Sequence, residues 1–339
     1  TKLRLIQELS NGSGFSYVGD SYADLPVWQA SDQAILVNPR PALLKQVSAK
    51  SYVAPITLRC GLNAPRDFIK LIRVHQWAKN SLILLPSLLA IDTLGSIGLQ
   101  LVLGFFAFSM VASAFYVVND LHDLNNDRRH ATKSSRPLAS GAVSLGYGVL
   151  SSLVLLSFAA LVSFALSAEF QLMLVIYAVS TFAYSKYIKK VPIADLFFLA
   201  GLYLLRIVSG AILVDVQLSN WLLTFSVFVF LFLASVKRWV EINKSNGKKI
   251  LGRGYTTSDV GFISAVSYFS GMISVLVVCL YLDSDQALVL LGDGRILWLA
   301  PLIILYWILE LLLKVGRSLV DEDPVKYALK SKSTYVVLL

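Results

Sequence analysis

Seven apolar runs, at about 97–118, 143–166, 169–185, 192–214, 218–236, 258–282 and 294–313, follow one another with only short polar interruptions. Most approach the ~20 residues that a membrane-crossing helix needs. A shorter run at 81–91 follows an amphipathic stretch at 65–80, and Trp77 at the interface with a snorkelling Lys79 extends it to a further span. The reading is an all-α integral membrane protein with eight complete spans. With 56% apolar and only 15% charged residues, the chain is neither disordered nor a single soluble domain. Cys60 and Cys279 are too few and too far apart for a disulfide framework. The net charge of +9 would point to nucleic acid in a soluble protein. Here the cations sit in loops beside spans, so the membrane is the expected partner and nucleic acid is not.

Orientation follows from those loops. Loops 119–142, 186–191, 237–257 and 314–332 hold four, three, six and five Lys or Arg, whereas 92–96, 166–168, 215–217 and 283–293 hold none. Basic residues are retained on the cytoplasmic side, which places the polar loops and the N-terminal segment there, in a bacterial inner or plasma membrane. The residues at 333–339 begin another apolar run, and position 1 is Thr. The expectation is a chain cut at both ends, with a truncated ninth helix.

Residues 1–60 differ in kind and read as a small α/β fragment and linker ahead of a transmembrane domain at 61–339. A strand at 15–18, a turn at Gly19-Asp20-Ser21, a helix at 23–30 and a strand at 34–37 make one strand-turn-helix-strand unit. Gly19-Asp20-Ser21-Tyr22-Ala23-Asp24-Leu25 resembles the last acidic motif of haloacid-dehalogenase-like phosphatases. The likeness covers about forty residues and lacks that family's nucleophilic Asp pair and Lys, so no phosphatase activity is expected from it.

The strongest chemical signal is Asn119-Asp120-Leu121-His122-Asp123-Leu124-Asn125-Asn126-Asp127, directly after an apolar run. At about 100° per residue, with Asn119 at zero, Asp123 falls near 40°, Asp127 near 80° and Asp120 near 100°. Three carboxylates and an amide on one face repel one another unless cations are present, and hard oxygen donors suit Mg²⁺. Arg128, Arg129, Lys133 and Arg136 follow at once, so guanidinium and ammonium groups stand beside a metal-bridged polyphosphate.

Asn119-Asp120-x-x-Asp123-x-x-x-Asp127 on a polytopic helical chain resembles the first motif of the UbiA-type superfamily of intramembrane transferases. The resemblance covers about residues 65–339 and implies a ring of nine helices around a central cavity. A second Asp-rich motif is usual after the sixth helix; here Lys237-Arg238-Trp239-Val240-Glu241 stands in its place. With Arg73-Val74-His75-Gln76-Trp77-Ala78-Lys79-Asn80 and Asp321-Glu322-Asp323-Pro324, this resembles the decaprenyl-phosphate phosphoribosyltransferase branch. The resemblance implies Mg²⁺ on Asn119, Asp120, Asp123, Asp127 and Glu241, with Asp120, Asp123, Asp127, Lys189, Lys237 and Arg238 catalytic. It further implies phosphoribosyl diphosphate as donor, a polyprenyl phosphate lipid as acceptor, and a place in cell-envelope precursor synthesis.

His75, Gln76, Lys79 and Asn80 form a polar cluster at the first span, expected to contact substrate together with Arg136, Tyr184 and Arg206. Arg206 lies inside a span, where an unpartnered cation is costly, so it is expected to bind an anion or pair with a carboxylate. Asp195 reads as a helix cap, and His122, away from the acidic face, as structural. Two rivals remain. One is an aromatic prenyltransferase using polyprenyl diphosphate; the other is a non-catalytic membrane protein that binds lipid or ions.

Overall fold

The computed structural model describes residues 2–10, 13–37, 39, 41–48, 55–58, 65–89, 94–129, 132–245, 253–291 and 295–320. The motif at 321–324, the expected ninth helix, Cys60 and His130 lie outside them. Two compact units emerge, one from Thr1–Val74 with Tyr116–Leu153, the other from His75–Phe115 with Val154–Leu339.

In the first unit, α1 (Lys2–Ser10) precedes β1 (Ser16–Gly19), a 3₁₀ turn (Tyr22–Asp24), α2 (Leu25–Gln29), β2 (Gln33–Val37), α3 (Pro41–Ser48) and β3 (Ile56–Leu58). The three strands form a parallel sheet in the order β1-β2-β3, with Val18 opposite Ile35 and Ile35 opposite Ile56. Alternation along β2 turns Ala34 and Leu36 into a core with Trp28, Leu43 and Val47. The strand, turn, helix and strand expected at the N-terminus are therefore present. The same unit holds α4 (Pro65–Leu71), the last turns of α5 (Leu94–His122), α6 (Leu124–Arg129) and the first turns of α7 (Leu145–Ser163). Leu71, Val117, Leu138 and Val143 form a second core there, flanked by Phe68, Leu121 and Leu124. This core holds the acidic motif at the end of α5.

The second unit is helical. It contains most of a 3₁₀ segment (Val74–Leu89), most of α5 and α7, then α8 (Ala168–Lys186), α9 (Ala194–Leu213), α10 (Asn220–Lys244), α11 (Val260–Leu282), α12 (Asp285–Leu291) and α13 (Leu299–Gly316). Ser167 and Ser219 cap α8 and α10 by accepting the N–H groups of Phe170 and Leu222. Helix α10 lies along α9 and α11, and α11 along α13. Phe232, Ile263 and Ile308 in that core have no exposed surface. Close approach uses glycine: a side chain at Gly271 would meet Ile308 and Phe232, and one at Gly210 would collide with the backbone of Ile83.

Among the described residues six helices are long and apolar enough to cross a membrane by length and composition. The expected runs at 169–185 and 81–91 take the forms of α8 and of the 3₁₀ segment. The latter has 16 residues and contains Pro86. At a rise of about 2 Å per residue it reaches ~32 Å, where an α-helix of equal length would reach ~24 Å.

Candidate functional site

Two polar clusters carry the expected site residues, one in each unit. In the first unit the chain leaves α5 through a turn at Asp123 and re-enters helix at Leu124. The N–H groups of Asp123 and Asp127 still bond the carbonyls four residues earlier, Asn119 and Asp123, both at 2.9 Å. Helical phase is thus kept across the turn, and the acidic face expected from the wheel forms in part. Asp120 and Asp127 are each 3% exposed, whereas Asn119 and Asp123 are half-buried.

Both buried carboxylates converge on Arg136. One nitrogen, Nη1, lies 2.9 Å from Asp120 Oδ1 and 2.6 Å from Asp127 Oδ2. Asp120 Oδ1 also accepts from Nη2 of Arg73, a residue the wheel could not bring in because it lies 47 positions away. Arg73 adopts a left-handed backbone (φ 53°), and its guanidinium stands over the ring of Tyr116, 5.2 Å from the centroid. Paired guanidiniums therefore supply the counter-charge that the cluster demands.

Among the described residues no three His, Cys, Asp or Glu side chains group closely enough to hold a metal alone. Mg²⁺ usually keeps waters and joins one or two carboxylates to substrate oxygens. Asp120 and Asp127, two carboxylates converging on one cationic nitrogen, with Asn119 and Asp123 on the adjoining turns, fit that donor set.

The second cluster is cationic. Arg238 on α10 has no exposed surface and all three of its nitrogens are engaged. Nε donates to Asp195 at 2.5 Å, Nη1 to Glu241 at 2.5 Å and Nη2 to the Tyr184 hydroxyl at 2.6 Å. Asp195 is not the expected helix cap: α9 is capped at Ile193, and the Asp195 carboxylate turns to Arg238 and to the Tyr255 hydroxyl, 2.5 Å away. Glu241 Oε2 is paired with Arg238 and lies 3.6 Å from Arg253 Nε. Lys189 is buried and Lys237 half-buried.

Tyr255 and Arg253 are members that the sequence reading passed over, and Asp195 entered it only as a helix cap. Past the motif at 237–241, the basic stretch to 257 entered only as a topology signal, yet Tyr255 is 1% exposed and bonds to α9 through Asp195. Its hydroxyl also accepts the N–H of Ile193 at 2.8 Å. Burial first, then the hydrogen bond to Asp195, holds this hydroxyl well above the ordinary phenol range, so it stays a donor. Ile193 is the apex of a γ-turn (φ 67°, ψ −53°), with the Ala194 N–H bonding Pro192 O at 2.7 Å.

Arg206, 5% exposed, has neutral partners, so of the two expectations, an anion or a paired carboxylate, the second is not met among the described residues. Nε donates to Asn80 Oδ1 at 2.9 Å, Nη2 to the Tyr177 hydroxyl at 2.9 Å, and Nη1 to Leu202 O. The rings of Phe108, Tyr177 and Tyr203 surround it at 5.0–5.5 Å. Asn80 in turn donates to Ser109 at 3.0 Å. His75 is exposed, and Gln76 and Lys79 are half-buried.

The family model of the UbiA prenyltransferase family matches residues 82–331, about three quarters of the chain. The chain belongs to the UbiA prenyltransferase family. It is 35% identical to the uncharacterized protein y4nM of Sinorhizobium fredii over 99% of its length, and spans 66% of that relative. It is also 28% identical to a decaprenyl-phosphate phosphoribosyltransferase of Mycolicibacterium smegmatis, covering 82% of this chain and 90% of the relative. A UbiA homologue from Archaeoglobus fulgidus, solved with DMAPP and Mg²⁺, superposes with a TM-score of 0.59 at 15% identity, over 80% of this chain and 96% of that one. This UbiA member is thus a helical membrane protein with the transferase fold.

Proposed function

We propose that this UbiA member transfers a 5-phosphoribosyl group from phosphoribosyl diphosphate to a polyprenyl monophosphate. The observation that carries the reading is the cationic network on α10, where Arg238 and Lys237 stand in the place of a second acidic motif. One acidic cluster matches one metal-bound diphosphate. The cations match the further phosphates that such a donor and acceptor bring. Likeness to the mycobacterial phosphoribosyltransferase supports the same branch.

In this reading Asn119, Asp120, Asp123 and Asp127 hold Mg²⁺, which when bound neutralises diphosphate oxygens and makes the diphosphate a better leaving group. Arg136 pairs with both Asp120 and Asp127, and Arg73 with Asp120, which holds the two carboxylates in orientation. Lys189 and Lys237 attract phosphate oxygens, and Arg238 holds Tyr184 and Glu241 in place. His75, Gln76 and Lys79 contact substrate at the first span. The C1–O bond of the donor breaks with its electron pair going to diphosphate, and an oxygen of the lipid phosphate bonds to C1. That oxygen is already ionised, so no general base is needed.

In this reading the 3₁₀ segment and α8 also span the membrane, and the polar loops face the cytoplasm. The parallel sheet at the N-terminus supports the phosphatase-like ancestry of residues 1–60. The solved homologue's DMAPP and Mg²⁺ favour the rival reading, a prenyl group moved from its diphosphate to an aromatic acceptor.

The test is transfer of label from radiolabelled phosphoribosyl diphosphate into an organic-extractable polyprenyl phosphate by the full chain in detergent. Magnesium-dependent transfer lost in Asp123→Asn supports the proposal. Prenyl transfer to a hydroxybenzoate without ribosyl transfer would select the rival.

A further inference from the structure

We infer that Arg253 is a further member of the cationic network that contacts substrate, and that its ligand is a phosphate monoester. The inference rests on the reading above for the identity of that ester, but its geometry is independent of it. Arg238 cannot reach a ligand, because it is fully enclosed and its nitrogens serve Asp195, Glu241 and Tyr184. Arg253 is placed differently. Its side chain is 19% exposed, Nη1 donates to Tyr184 at 3.0 Å and Nε faces Glu241 at 3.6 Å. Among the described residues Nη2 makes no hydrogen bond.

Tyr184 sharpens the argument. Its oxygen accepts from both Arg238 and Arg253, so its own proton must point away from both guanidiniums, toward a third acceptor. The O–H of Tyr184 and the Nη2 of Arg253 then form adjacent donors. Two neighbouring donors, one charged, match two oxygens of a tetrahedral phosphate.

The backbone that carries Arg253 is fixed. Gly254 packs so tightly on Lys190 O and the Pro192 ring that no side chain fits there. Tyr255 is the positioning residue, bonded to the Ile193 N–H and to Asp195. A guanidinium delivered from such an anchored backbone loses little freedom on binding.

A phosphate monoester occurs in two candidate substrates, the ribose 5-phosphate end of the donor and the lipid monophosphate, and the experiment separates them. Equilibrium binding to the full chain in detergent is measured with radiolabelled phosphoribosyl diphosphate, with a polyprenyl monophosphate, and with inorganic phosphate as competitor. Arg253→Gln is expected to weaken one organic probe on the order of tenfold or more. Loss for the first probe assigns the donor, and loss for the second the lipid. Arg253→Lys should recover part of the binding, and Tyr255→Phe should weaken the same probe. A melting midpoint like that of the unaltered chain shows that Arg253→Gln is folded. Unchanged binding of both probes in folded Arg253→Gln overturns the inference, even where ribosyl transfer is observed. If the chain binds inorganic phosphate in an Arg253-dependent way but neither organic probe, the site stands and the phosphoribosyl reading falls. Absence of binding by all three probes overturns the inference.

Discussion

Asp195 and Arg238 form an ion pair of 2.5 Å in which neither side chain has any exposed surface. Removing one partner from such a pair leaves an enclosed charge, at a cost of about 3–5 kcal/mol, whereas replacing both with apolar groups can be nearly neutral. Asp195→Asn is therefore expected to lower the melting midpoint strongly in a fixed detergent. Asp195→Leu with Arg238→Met should lose much less than the two single changes added together. Simple additivity would show that the pair is not coupled.

Ile193 holds a β-branched side chain at φ 67° in a γ-turn. Such conformations cost on the order of 1–3 kcal/mol, while a glycine adds roughly 0.4–1 kcal/mol of unfolded-state entropy. Ile193 is 47% exposed, so little packing is lost. Relief of strain wins, and Ile193→Gly is expected to raise the melting midpoint. A fall would mean that the side chain contributes more than its exposure implies.

Asn80 offers a change that adds charge to a buried position and still stabilises. Arg206 has neutral acceptors and ring faces around it, and Asn80→Asp keeps the oxygen that accepts Nε while converting that bond to a charge-assisted one. The Ser109 hydroxyl can reverse its role and donate. Thermal unfolding at neutral pH should show Asn80→Asp above the unaltered chain by about 1 kcal/mol, and Asn80→Leu well below it. If Asn80→Asp unfolds earlier, the guanidinium is better served by an amide than by a carboxylate.

Arg136 is the shared counter-ion of Asp120 and Asp127. In Arg136→Gln the two carboxylates repel, and a divalent cation or Arg73 can offset them. Mg²⁺ should then raise the melting midpoint of Arg136→Gln by several degrees more than that of the unaltered chain, following ligand linkage. Equal shifts would place the cation elsewhere.

Asp24 gives the N-terminal sheet a pH dependence. Burial raises its carboxyl, but hydrogen bonds from Lys2, Tyr17 and the backbone of Asp20 and Ser21 outweigh this and hold it below its ordinary value of 3.8. A carboxyl depressed by folding stabilises above its unfolded pKa, and that contribution disappears as pH falls through the lower folded value. Amide protection in β1 and β2, corrected for the pH dependence of intrinsic exchange, should fall below about pH 4. In Asp24→Asn this step should be absent; its persistence would assign the acid sensitivity to another group.

Much of this was legible in sequence. Alternation marked β2, apolar runs of about twenty residues marked α9, α10 and α11, and a single helical wheel placed Asp120 beside Asp127. Contacts between distant segments were not legible. Arg73 reaches Asp120 across 47 positions, and Tyr255 reaches Asp195 across 60. Asp195 looked like a cap because its position near a helix start is what caps share, and only packing reveals which way a carboxylate turns. Glu241 was expected as a metal ligand from the family resemblance; what sequence could not show is that its Oε2 turns to Arg238, three residues away.

The 3₁₀ winding of Val74–Leu89 sorts the side chains of His75–Pro86 into three rows rather than the drifting stripe of an α-helix. His75, Ala78, Ser81 and Leu84 lie exposed, Gln76, Lys79, Leu82 and Leu85 are half-buried, and Asn80, Ile83 and Pro86 are buried. A substitution scan through this stretch should therefore show tolerance recurring every third residue, and one inserted residue would shift each later side chain by a full row. Asn80 and Ile83 share the innermost row. A slip of that size would take the amide from Arg206 and the backbone of Ile83 from Gly210 together.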